Sequence, residues 1–165
     1  MSQVAFDEVE EEDIDVGSFN HAVVQANLTH LLMNLGKYRV CTELSLEVGH
    51  VDLSQFDIDN KSEVKPDVCI YLKRGLSMPN DIIKMSEMPL LAIEVLSPKQ
   101  GTYTIIEKFK LYFDLGIKSC WLVNFAIDVI AVYSSATRYQ TFTRRDSEVV
   151  DETLDIRLPF ADIFA

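Results

Sequence analysis

The chain has 165 residues, 48% of them hydrophobic and 25% charged, with a formal net charge of −11. That length supports one hydrophobic core and is short for two. The longest apolar stretch, residues 90–96, is far too short to cross a bilayer and is broken by Glu94.

The acidic balance argues against broad contact with a phosphate backbone. Seven acids fall within residues 7–15 (DEVEEEDID), however, which leaves the rest of the chain at −4. Such a run reads as a solvated tail, here residues 1–17, ahead of a single domain over 18–165; an intramolecular mimic of DNA is the sharper alternative. The opening Met-Ser-Gln leads into acid with neither the basic segment nor the apolar core of an export signal. Cys41, Cys69 and Cys120 are odd in number, far apart and set in strand-like runs, so they read as reduced core residues. Both features point to a cytoplasmic protein without membrane association.

In chain order, residues 18–35 carry a helical pattern. Ser18 suits the N-cap, Val24, Leu28, Leu31, Leu32 and Leu35 form an apolar face, and Gly36 suits the position after the last turn. Residues 38–48 alternate, with Val40, Thr42, Leu44, Leu46 and Val48 on one face and Cys41, Glu43, Ser45 and Glu47 on the other, which predicts a strand. A polar connection over 52–63 leads to a second strand over 64–71, with Pro66 near its start. Residues 73–86 read as an irregular loop. Residues 90–97 (LLAIEVLS) are apolar on both faces, as in a central strand ended by Pro98. A helix over 103–115 stops at Gly116, and SCWLVN, DVIAVYSS and RYQTFTRR follow as three strands. The closing LPFADIFA reads as a short helix or packed coil. This order predicts an α/β sandwich with a central mixed sheet flanked by helices.

Glu94 interrupts a run of Leu, Ala, Ile and Val, and a carboxylate in a buried strand is costly unless a cation or donors satisfy it. Asp67 opens the neighbouring strand, where alternation groups it with Cys69 and Tyr71 against Val68 and Ile70. Two adjacent strands would bring both carboxylates to one ion, and such hard oxygen ligands suit Mg²⁺ or Mn²⁺ rather than zinc. For either residue alone, turn chemistry or pairing with a basic side chain serves equally well. At about 100° per residue, Glu107, Lys110 and Asp114 share one side of the second helix, while Lys108 falls inside the apolar arc beside Ile105, Leu111, Tyr112 and Leu115. Its stem is expected to follow the core face and its amine to meet Asp67 or Glu94, at about 2.7–3.2 Å or through one water; snorkelling to the helix edge is the alternative.

At PDV (Asp67), IEVLSP (Glu94) and EKFKLYFDLGIKSCWLVN (Lys108, Tyr112, Gly116, Trp121), over about residues 18–135, the sequence resembles the Uma-two family of putative restriction endonucleases, formerly a domain of unknown function. That family lies within the PD-(D/E)XK nuclease superfamily. The resemblance implies a restriction-endonuclease-like fold, with Asp67 and Glu94 as metal ligands and the Val95 carbonyl as a third. Leu96 stands where the superfamily's usual lysine would be, and Lys108 on the following helix matches the family's substitute. Glu43 and His21 match further polar positions of the family. Thr104 departs from a common Asp four residues before the helix lysine, and the acidic tail replaces the usual leading segment. The function so implied is Mg²⁺-dependent (or Mn²⁺-dependent) hydrolysis of DNA phosphodiester bonds, without a small-molecule cofactor and with a homodimer suited to cutting both strands. The alternative is a nuclease fold that binds nucleic acid, metal or a protein partner without cutting; Lys65, Lys73, Arg74, Lys99 and Lys110 would line its basic edge.

Overall fold

The computed structural model describes residues 17–49, 51–58 and 64–165. The acidic run, and residues 59–63 of the polar connection, lie outside the described residues.

Helix α1 spans Phe19–Asn34, and its ends follow from capping chemistry. The Ser18 hydroxyl accepts from the His21 amide at 3.2 Å, satisfying a donor that the first turn leaves open. At the other end Gly36 takes a φ of 73°, the left-handed conformation that turns the chain away. Val24, Leu28 and Leu32 make the buried stripe.

Strand β1 covers Tyr38–Thr42 and is shorter than the alternation over 38–48 predicts. Glu43 has a φ of 54°, which takes the backbone out of the extended region. Farther on, Leu46 makes only isolated bridges, to Val64 and Met85. Strand β2, Val68–Leu72, likewise starts later than expected, because Val64 is spent on the bridge to Leu46 and Pro66 has no amide to donate. Strand β3 is Leu91–Val95, with all five residues buried. Helix α2 is Thr102–Asp114, followed by β4 Ser119–Asn124, β5 Val129–Tyr133 and β6 Tyr139–Phe142.

These six strands form one sheet in chain order, β1 to β6. β3 and β4 run parallel, joined by α2 as a crossover, and the other pairs are antiparallel, so the sheet is mixed. Helix α1 covers one face, packing Leu28 and Leu32 in one cluster with Ile70, Ile93 and Trp121. Helix α2 covers the other, with Ile105, Phe109 and Tyr112 clustered with Ala92 and Cys120. Each such fully buried large side chain contributes about 1.5–3 kcal/mol relative to exposure. The predicted sandwich is therefore the observed one. The three cysteines are free, and Cys41 and Cys69 are cross-strand partners.

The closing LPFADIFA contains the expected short helix, and ahead of it lies a hairpin that the sequence reading did not assign. Glu148–Asp151 (β7) and Ile156–Pro159 (β8) form a separate antiparallel hairpin, and only Phe160–Ile163 (α3) is helical. Val149, Ile156, Leu158 and Phe160 join the core on the α1 face. The carboxylate of Asp151 ties this hairpin to the sheet, accepting from Trp121 Nε1 at 2.8 Å and Ser119 Oγ at 3.2 Å. No helix among the described residues is long and apolar enough to cross a membrane.

Candidate active site

Asp67 lies one residue ahead of β2, so strand alternation does not govern its side chain as predicted. Pairing between β2 and β3 ends at Val68 with Ile93. Beyond that pair the Val95 amide donates to Asp67 Oδ2 at 2.7 Å. The same oxygen lies 3.2 Å from His21 Nε2 on the first turn of α1. This contact holds the His21 imidazole above its ordinary pKa, outweighing the opposing effect of burial. The charges of Asp67 and Glu94, and the Val95 backbone, act in the same direction.

Glu94 points to the α2 side of the sheet and is 3% exposed. Tyr112 Oη donates to its Oε1 at 2.6 Å. Lys108, one turn earlier on α2, brings Nζ to 3.9 Å from the same oxygen, and its side chain is only 20% exposed. Burial pushes the Glu94 carboxyl up to about 7. Lys108 and the Tyr112 hydroxyl pull it down, while the neighbouring Asp67 carboxyl pushes it up.

Lys108 therefore turns inward from its apolar arc, as its helical position predicts. Its separation from Glu94 is that of an ion pair and exceeds the expected hydrogen-bond length. Glu107 keeps the company of Lys110 that the helical pattern predicts, but not the exposure of Asp114. It is buried, accepting from Lys110 Nζ at 2.6 Å and from the Asp57 amide at 3.4 Å, whereas Asp114 is exposed.

A cleft of about 1150 Å³ opens over this cluster, with His21, Asp67, Glu94 and Lys108 in its wall. Glu43 also lines it; that residue is exposed, and its amide donates to the Asp67 carbonyl at 3.2 Å. Of the five basic residues expected along one edge, Lys65 and Lys99 face the cleft. Arg74 is instead paired with Glu87 and Lys110 with Glu107, and Lys73 is not part of the cleft wall. Gly101 and Thr104, at the start of α2, complete the rim. The role of Tyr112 as donor to Glu94 escaped the sequence reading, which counted it with the apolar arc. The available signal was its spacing of four residues from Lys108.

A carboxyl group whose proton affinity is raised by a second one beside it suits a hard divalent cation, which would neutralise both. No group of three or more His, Cys, Asp or Glu side chains among the described residues is arranged to hold a metal. Further ligands would come from the Val95 carbonyl and from solvent, in keeping with the few protein ligands that Mg²⁺ usually takes.

No curated protein matches the chain. Among solved structures it is similar to a crystal structure described as a putative nuclease belonging to DUF820, from Anabaena variabilis ATCC 29413. The TM-score is 0.68 at 16% identity, covering 90% of this chain and 82% of that one, a likeness of fold. The family model Uma2, described as "Putative restriction endonuclease", matches residues 7–161. The match is broader than the motif-bearing 18–135 and begins within the acidic run. The chain belongs to the Uma2 family.

Proposed function

We propose that the protein is a divalent-metal-dependent endonuclease that hydrolyses DNA phosphodiester bonds. The observation that carries this reading is the convergence of Asp67, Glu94 and the inward-turned Lys108 on one cleft. Membership in the Uma2 family supports it.

Asp67, Glu94 and the Val95 carbonyl would hold Mg²⁺, with Mn²⁺ as a substitute. A cation there supplies an acidified water and positive charge beside the scissile phosphate. The Asp67 carboxylate is oriented for this by the Val95 amide and His21, and Glu94 by Tyr112. Lys108 adds a fixed ammonium where negative charge builds in the transition state, a role that needs placement more than a free amine. Glu43, on the cleft wall, supplies a further carboxylate for a second ion or for solvent held near the first. Lys65, Lys99 and the start of α2 favour the flanking phosphates, since the first-turn amides of a helix point outward and α2 has no side-chain cap. Cutting both strands of a duplex asks for two such sites, which a homodimer provides.

Purified protein incubated with supercoiled, linear and branched DNA in Mg²⁺ or Mn²⁺ tests the proposal. Nicking or cleavage that stops with chelator and in Glu94→Ala is expected. Absence of cleavage with either ion across these substrates overturns it, and retained DNA binding in that case favours a non-cutting module.

A further inference from the structure

Tyr112 is fully buried, and its ring packs beside Phe109 with centroids 6.2 Å apart. A phenylalanine would fill that space equally well, so packing does not account for the hydroxyl. The hydroxyl makes one contact of consequence, the 2.6 Å bond to Glu94 Oε1, short enough for a charge-assisted hydrogen bond. It reaches Glu94 from within the core while Lys108, four residues earlier on α2, approaches the same oxygen at 3.9 Å. Glu94 itself rides on the central strand β3 facing α2, so one turn of helix meets this carboxylate from two directions.

We propose that Tyr112 is a positioning residue, whose hydroxyl locks the orientation in which the Glu94 carboxylate meets Asp67 and so sets the site's affinity for a divalent cation. This rests on the metal-binding reading above. A glutamate has three rotatable bonds, and in a buried strand a single strong donor is enough to select one rotamer. Partners that orient a metal ligand in this way typically govern affinity by about 10–100-fold.

The test is Mn²⁺ binding to the full chain without DNA, followed by electron paramagnetic resonance, in wild type, Tyr112→Phe, Glu94→Gln and Ser119→Ala. The last removes a different buried hydroxyl that bonds a carboxylate, Asp151, and so controls for general loosening of the sheet. Tyr112→Phe, folded by circular dichroism, should bind Mn²⁺ about tenfold more weakly or worse, with Ser119→Ala unchanged. Unchanged binding in Tyr112→Phe overturns the proposal, as does equal weakening in both hydroxyl variants. In wild type labelled with 3-fluorotyrosine, Mg²⁺ should shift the Tyr112 fluorine resonance, and this shift should vanish in Glu94→Gln. No such shift also overturns the proposal, and this measurement does not depend on the folding of Tyr112→Phe. Wild-type Mn²⁺ binding equal to that of Glu94→Gln defeats the metal-binding reading itself, and the Tyr112 proposal with it.

Discussion

Glu94 and Asp151 are both carboxylates buried against the same sheet, at 3% and 1% exposure, and their surroundings are opposite in kind. Asp151 accepts from Trp121 Nε1 and Ser119 Oγ within the core and from the Leu154 amide at its edge, three donors that close around it. Glu94 has one donor at hydrogen-bond length, a lysine farther off, and a second carboxyl group for a neighbour, and it borders an open cleft. A carboxylate whose acceptor sites are filled by the protein holds the fold together. One left short of donors beside another negative charge is, on the proposed reading, where a cation from outside would bind.

The comparison is broken most directly at Asp151. Asp151→Ala strands two buried donors and the half-buried Leu154 amide, and urea unfolding should show a loss of about 3–5 kcal/mol. DNA cleavage per folded molecule should stay within about twofold of wild type if its role is structural. A large fall in cleavage without destabilisation would reverse the assignment of the two carboxylates.

Lys108→Met keeps the buried stem and removes the charge. Cleavage should drop by about 100-fold, in the range typical of a lost electrostatic contact to the transition state. Stability should change by less than about 1 kcal/mol, because the 3.9 Å pair with Glu94 is loose and the amine is partly exposed. Undiminished cleavage would remove Lys108 from the site.

A smaller effect sharpens the contrast. In chelator, Glu94 titrates near 7 in the folded protein, above the ordinary carboxylate value near 4.3. The folded state thus binds this proton more tightly than the unfolded chain. The resulting stability is fully present below the ordinary value and is lost as pH rises through about 7. His21, also raised, acts with the same sign from its ordinary 6.5 upward. The Tm of the metal-free protein should therefore fall by several degrees between about pH 5 and 7.5. Glu94→Gln should flatten most of that slope, and a slope unchanged by the substitution would deny Glu94 its raised proton affinity.

Much of the frame was legible in the amino acids because it rests on local rules. Ser18 and Gly36 mark the ends of α1, the doubly apolar run around Glu94 marks a central strand, and the angular position of Lys108 sends it inward. The errors fall where one residue's backbone breaks a pattern that side chains alone would continue. Glu43 fits the alternation of 38–48 yet turns left-handed and ends β1. The β7–β8 hairpin lacked a strong turn signal and was missed.

By itself the sequence singled out the candidate residues: Asp67, Glu94 and Lys108 each stand out against apolar or strand-like surroundings, since periodicity and burial cost act within a few residues. Only the tertiary structure decided what each one touches. His21 meets Asp67 across 46 positions, and the Tyr112 hydroxyl meets Glu94 across 18. Such contacts depend on strand register and on how two helices sit over opposite faces of one sheet, a matter of packing that no local spacing encodes.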